Sequence, residues 1–476
     1  MACFSSILSR SGAHYECVKL IERLLLIVKD RLGVDHRSTI LASGDLAGTY
    51  GQLGRYAEAE VLQVQVLKQR TMLLGVDHPH TIVASANLAG TYEQLGRYAE
   101  AEVLEVEVLK QRIRLLGVDH PDTIVAAGNL ALTYRQLGRY GEAEALQIEV
   151  LKESTKLLGV DHPDTIRASG NLAATYGQLG RYAEAQALEV EVLNQSTRLL
   201  GVDHPETIRA SANLAWTYSQ LGRYGDAEVL EVDVLKQRTK LLGVDHPFTI
   251  LASANLAGTY GRLGRYGEAE VLFVEVLKQR TRLLGVDHPH TIIASGNLAG
   301  IYTQLGRYGE AEVLFVEVLN QRIKLLGVDH PSTVVASGNL AAIYGHLGRY
   351  GEAEVLEVEV LKQRTKLLGV DHPSTTVASE NLAATYHQLG RYSEAETLRC
   401  NVLKQKTRLL GDRHPDTLLA TLSLASTYKA MQRYSDALEL ATKAHLGSIE
   451  TLGESHSYSL KLAAFRASLK GKQPLK

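Results

Sequence analysis

The dipeptide Asp-His recurs at Asp35, Asp77, Asp119, Asp161, Asp203, Asp245, Asp287, Asp329 and Asp371, always 42 residues apart. The phase continues through Arg413-His414 and Ser455-His456, and Arg-Tyr follows it from Arg55-Tyr56 to Arg433-Tyr434. Self-similarity at a fixed period of 20–50 residues marks a solenoid of stacked units. A length of 476 residues alone suggests about three domains. The repeat predicts one array instead. Residues 1–35 form a half repeat containing only a second helix, 36–453 hold ten repeats, and 454–476 a capping helix and tail.

One unit, residues 161–202, shows what each period folds into. Pro163 suits the first position of a helix, where its missing N–H goes unused, and His162 or Asp161 caps it. Ile166, Leu172, Ala173 and Tyr176 fall at helical spacing. Gly180 ends this helix, since a left-handed residue after a helix is least strained as glycine. Arg181-Tyr182 forms the turn, and a second helix runs to Gly201. Basic residues such as Lys110, Arg112 and Arg114 follow acidic ones such as Glu100, Glu102 and Glu105, complementing the helix dipole. A hairpin of this size cannot bury its apolar stripe alone; stacking on neighbours does so.

Composition removes several function classes. With 51 basic and 53 acidic residues, the net charge of -2 excludes nucleic-acid or anionic-membrane binding driven by bulk charge. Cys3, Cys17 and Cys400 are too few and too scattered for a disulfide framework or a zinc site. No apolar run approaches the ~20 residues that span a bilayer, and the first residues make a poor signal peptide. The expectation is a cytoplasmic protein with no membrane or nucleic-acid partner.

The string N-L-A-x-T-Y-x-Q-L-G-R-Y-x-E-A-E resembles a tetratricopeptide repeat, with Leu88, Ala89, Tyr92, Gly96, Tyr98 and Ala101 at signature positions. The 42-residue period and the leader L-G-x-D-H-P-x-T resemble kinesin light chain repeats, and the near-identity of the units resembles arrays of fungal signalling receptors. The resemblance implies an all-α right-handed superhelix of helical hairpins. The chain departs from these families in three respects. No heptad segment precedes the repeats, and no G-x-x-x-x-G-K-[ST] phosphate loop occurs. The usual second-helix aromatic is present only as Phe273 and Phe315, with Glu105, Glu189, Glu231, Glu357 or Gln63 elsewhere.

The resemblance also implies that first helices line a concave groove, where an asparagine bonds the backbone of an extended peptide. Here that residue is Asn87, Asn129, Asn171, Asn213, Asn255, Asn297, Asn339 and Asn381. A carboxamide offers both donor and acceptor, as backbone recognition needs, yet asparagine is a mediocre helix former. The other readings are that each asparagine bridges adjacent first helices, or that recent duplication simply copied it. Arg167, Arg209 and Trp216 share this face on adjacent repeats, with Gln178 and Gln220 a turn beyond. Arginine and tryptophan are enriched at binding hot spots, so an acidic and apolar peptide is expected there; the alternative is duplication noise, with Trp216 filling a gap between helices. Mid-helix Gly128, Gly170, Gly296 and Gly338 permit close approach by a ligand or a neighbouring helix.

The in-phase histidines stand one per turn, roughly 10 Å apart in a stack, so capping is the expectation rather than metal binding. The arginines at Arg55, Arg97 and Arg139 read as surface ion pairs with Glu58, Glu100 and Glu142, with phosphate binding the lesser alternative. No serine elbow, metal-binding His-Glu pair or phosphate cradle is present, and the polar residues are periodic where an active site would be singular. The chain therefore reads as a non-catalytic scaffold without cofactor, binding a protein or peptide as a kinesin light chain-like adaptor. The alternative is the sensing domain of a nucleotide-binding receptor that lacks its switch domain. Leu20, Leu24, Ile27 and Val28 would stay uncovered on the half repeat, which implies either a segment lost at that end or an edge that mediates association, including self-association; Lys461, Arg466 and Lys470 give the last helix a polar outer face, and residues 471–476 are expected to be a disordered tail.

Overall fold

The computed structural model describes residues 14–470; Cys3, the tail 471–476 and the Cys17 and Lys470 side chains lie outside the described residues. The described residues form 22 α-helices and no strand. They divide into two compact units, Met1–Leu241 and Leu242–Lys476. The first unit opens with α1 (His14–Leu32), followed by the pairs α2 (Arg37–Gln52) and α3 (Tyr56–Leu74), and α4 (Pro79–Gln94) and α5 (Tyr98–Leu116). It continues with α6 (Pro121–Gln136) and α7 (Tyr140–Leu158), α8 (Pro163–Gln178) and α9 (Tyr182–Leu200), then α10 (Pro205–Gln220) and α11 (Tyr224–Leu242). The second unit carries α12 (Pro247–Arg262) and α13 (Tyr266–Leu284), α14 (Pro289–Gln304) and α15 (Tyr308–Leu326), and α16 (Pro331–His346) and α17 (Tyr350–Leu368). Its last helices are α18 (Pro373–Gln388) and α19 (Tyr392–Leu410), α20 (Pro415–Ala430) and α21 (Tyr434–Leu452), and α22 (Ser457–Lys470). From α1 to α10, and from α12 to α22, each helix packs on the next.

Local chemistry sets these boundaries. At the start of α8 the cap is His162 rather than Asp161: its Nδ1 accepts the backbone N–H of Asp164 at 3.2 Å, with Pro163 in the first turn. His36 through His456 cap the other first helices in the same way, at 3.1–3.3 Å. First helices end in a Schellman turn. In α4, Gly96 (φ 73°) donates to Glu93 O at 3.0 Å and Arg97 to Tyr92 O at 2.8 Å. In the last pair the left-handed position holds Gln432 (φ 62°). A side chain is strained there, so Gln432→Gly should stabilise the C-terminal repeats by about 1 kcal/mol. Slower amide exchange in α20 and α21 would show it; unchanged or faster exchange would count against it.

The core lies at the joints between hairpins. Ile82 of α4, Val108 of α5 and Ala126 of α6 form one cluster, and Ile166, Val192 and Ala210 form its counterpart across α8, α9 and α10. Each cluster is completed by the next hairpin's first helix, which is why one repeat alone has no finished core. At the amino end Val18 and Ile21 pack on Leu46 and Tyr50. Leu20 and Ile27 are exposed as expected, Leu24 and Val28 are half-buried, and Leu26 is exposed as well. On α22, Lys461 faces solvent, whereas Arg466 is half-buried against His445.

Candidate functional site

The asparagine stripe stays clear of the joints. Asn87, Asn129, Asn255, Asn297, Asn339 and Asn381 are exposed, and Asn171 and Asn213 half-buried. None of these carboxamides bonds to the chain, so the helix-bridging reading has no support. The glycines beside them do not serve close helix packing either. A Cβ added at Gly128, Gly170 or Gly296 would meet nothing within 4 Å, and one at Gly338 only the end of the Arg364 side chain at 3.9 Å. That surface is open.

Arg209, Asn213, Trp216 and Gln220 form one stripe along α10, and Arg167, Asn171 and Gln178 run along α8. Gln178 and Gln220 are exposed. The arginines are not free cations, however. Arg167 pairs with Asp164 at 2.8 Å and Arg209 with Glu206, one turn back on its own helix. These pairs leave no surplus positive charge for an acidic peptide. Trp216 is seated on a neighbouring helix: a Cβ at Gly177 would lie 3.1 Å from its ring. Its edge meets Tyr182 with centroids 5.9 Å apart, yet it is 42% exposed. It therefore both fills a gap and presents an aromatic surface.

Beneath this face, the second helices bury a row of polar residues. Glu105, Glu189, Glu231 and Glu357 are buried where Phe273 and Phe315 stand in the second unit. Oε2 of Glu105, Glu189 and Glu357 has no hydrogen-bond partner. Burial raises the Glu105 carboxyl to about 7, with nearby Glu93 adding repulsion and the Thr133 hydroxyl opposing the shift. Thr133 donates to Glu93 at 2.8 Å. Burial raises Glu189 and Glu357 too, opposed by Thr217 and Thr385. The residue 28 positions later follows the same chemistry: threonine opposite each glutamate, but Ile301 and Ile343 packed with Phe273 and Phe315. The departure from an aromatic was visible in the sequence; its coupled partner was missed, although this covariation was there to be read.

The opposite ends of the helices carry two ladders. Arg97 makes the expected pair with Glu100, reaches Glu60 of the preceding hairpin at 2.7 Å, and lies over the Tyr92 ring at 4.5 Å. Arg139, Arg181, Arg307 and Arg349 repeat this pattern. Their guanidinium groups already face two carboxylates, which argues against the phosphate alternative. In the second ladder Asp119 meets Lys156 at 2.9 Å and Asp203 meets Lys240 at 2.8 Å. At 53–67% exposure, these pairs contribute only tenths of a kcal/mol each. No cluster of three or more metal-ligating side chains occurs among the described residues. None of their helices is long and apolar enough to cross a membrane.

Two-helix units whose cores close only on their neighbours define a helical-repeat scaffold. Tetratricopeptide repeat family models match residues 43–110, 87–152, 122–195, 248–321, 291–364 and 378–445, and a second such model matches 207–248. The chain belongs to the tetratricopeptide repeat family, whose members generally mediate protein–protein interactions. Among solved structures it is similar to a Podospora anserina protein assigned as a kinesin light chain with nearly identical tetratricopeptide-like repeats. That match has 28% identity and a TM-score of 0.40, over 44% of this chain and 98% of the other. A signal-transduction ATPase from Pyrococcus horikoshii with a tetratricopeptide repeat sensor matches at 14% identity and a TM-score of 0.56, over 84% of this chain and 57% of the other. The apo quorum sensor NprR from B. thuringiensis matches at 13% and 0.54, over 77% and 98%. The last two likenesses concern the fold. No curated protein matches the chain.

Proposed function

We propose that this chain is a non-catalytic cytoplasmic adaptor, of the kinesin light chain type, that holds an extended segment of another protein along the asparagine-bearing face of its first helices. The observation that carries this reading is the row of eight carboxamides that reach solvent and bond to nothing in the chain. Asparagine is worse than alanine in a helix interior by about half a kcal/mol per copy, and nothing in the fold recovers that loss. A bound backbone would, since each carboxamide supplies one donor group and one acceptor. Trp216 adds an aromatic anchor of the kind that dominates binding energy.

The full chain used as bait, beside Trp216→Ala and an Asn171→Ala/Asn213→Ala double variant, tests this. Partner affinity should fall about tenfold or more in each variant, with helicity unchanged. Partners retained at full affinity by both variants would remove the docking face. Motor subunits among the captured proteins would mark the adaptor, and nucleotide-binding switch proteins the sensing domain of a receptor.

A further inference from the structure

In the first unit Asn87, Asn129, Asn171 and Asn213 occupy the same position on α4, α6, α8 and α10. Successive first helices there pack directly on one another. Thr133 of α6 donates to Glu93 of α4 at 2.8 Å, and the Trp216 ring of α10 lies against Gly177 of α8. The backbones of α6, α8 and α10 also come into contact in turn. Helices in direct contact run with axes about 8–10 Å apart, so equivalent carboxamides recur at about that interval.

A segment held by all four must turn the same side of its backbone to the row once per interval, because the carboxamides it meets are identical. A β-strand rises about 3.3 Å per residue and shows the same side every second residue, at about 6.6 or 13 Å. Neither value fits. An α-helix bonds its own donors and acceptors internally and leaves none for a carboxamide. A polyproline II helix has three residues per turn and a rise of about 3.1 Å, so one side returns every ~9.3 Å, and its backbone makes no internal hydrogen bonds. That interval falls within the spacing of the row.

The floor beside the row leaves room for such a helix. The residue before each asparagine is Ala86, Gly128, Gly170 or Ala212, and Gly90 and Ala174 lie one turn beyond. A Cβ at Gly128 or Gly170 would project into open space. Trp216, one turn beyond Asn213 and exposed, offers an aromatic surface of the kind on which proline rings pack. Arg167 and Arg209 are matched by Asp164 and Glu206, so this face calls for an uncharged ligand.

We propose that the segment held along the first helices is a proline-rich polyproline II helix of the form X-Pro-Pro, with one residue X per turn facing one asparagine. The proposal rests on the docking-face reading above and narrows it to one ligand class. Residue X keeps its N–H for the carboxamide oxygen, while the carboxamide NH2 donates to a backbone carbonyl, so an unbroken run of proline serves the row less well. The two prolines fix the conformation beforehand, so little ordering entropy is lost when the segment docks.

The test uses the full chain and labelled peptides of equal length: repeated Ala-Pro-Pro, repeated Ala-Gly-Gly, which lacks the preformed helix, and alternating Thr-Gln, which favours a strand. The Ala-Pro-Pro peptide should bind about tenfold or more tightly than either of the others. N-methylalanine in place of its alanines deletes the N–H at X and should weaken binding about fivefold or more. Asn→Ala at all eight positions of the row should abolish the preference. Alanine favours the helix, so thermal unfolding of that variant stays at or above that of the parent chain. Equal binding of Ala-Pro-Pro and Ala-Gly-Gly, tighter binding of the strand-forming peptide, or a preference that survives loss of the asparagines overturns the proposal. So does an Ala-Pro-Pro peptide that fails to bind. The partner-capture experiment uses natural partners and decides the docking face independently.

Discussion

Glutamine in place of Glu105 should stabilise the joint between α4, α5 and α6 by up to about 3 kcal/mol at pH 8 and by almost nothing at pH 4. The carboxyl is raised to about 7 in the folded chain, against an ordinary 4.5. Below pH 4.5 both states hold the proton and burial of the neutral acid carries no charge penalty. Between pH 4.5 and 7 the unfolded chain ionises while the folded chain does not, so stability falls as pH rises. Above 7 the full penalty is in place. Glutamine is the natural occupant of the same position at Gln63 and Gln147, so its amide fits the site. Amide exchange in α4–α6, followed from pH 4.5 to 8 in both proteins, isolates this group from the many exposed carboxylates. Parallel pH profiles would mean that Glu105 is ionised in the folded chain and that the environment described above is wrong.

The reverse exchange in the second unit should do more damage. Phe315 packs with Leu340 and Ile343, and its loss removes a large apolar side chain from the joint of α15 and α16. Phe315→Glu also places a carboxyl against Ile343, which offers no hydroxyl. A destabilisation of about 4–5 kcal/mol is expected. Ile343→Thr in the same protein should recover about 1 kcal/mol relative to the sum of the single changes, because the threonine sets a hydroxyl beside the carboxyl, as its in-phase counterparts do. Denaturant unfolding of the four proteins in the cycle measures the coupling. Strict additivity would show that the in-phase pairing of Glu with Thr and Phe with Ile is historical rather than physical.

The hairpins and their boundaries were legible because their signals are local. Proline at the first position, glycine at the left-handed one and the stripe of Leu88, Ala89 and Tyr92 each act within a turn or two, and the 42-residue period repeats them. The ladders were half legible. Glu100 lies three residues from Arg97, but Glu60 lies 37 residues before it, and only the packing register brings them together. Helical spacing placed Arg167, Arg209 and Trp216 on one exposed face correctly. It overlooked Asp164 and Glu206, three residues earlier, which neutralise both arginines. The glycines were the hardest to judge. Gly177 lies under Trp216, while Gly170 on the same helix faces open space, and no sequence pattern separates them.

The arginine ladder has a consequence for how such a gene can change length. The guanidinium of Arg139 meets Glu102, 37 residues earlier, and Arg181 meets Glu144 at the same offset. A recombination event that adds or removes one whole 42-residue cassette therefore presents an equivalent side-chain acceptor to the guanidinium at the seam, a carboxylate in most repeats and the Gln186 amide at Arg223, and the seam heals without compensating mutation. A slip of any other length leaves an orphaned charge at the junction. Copy number can thus drift freely while register cannot.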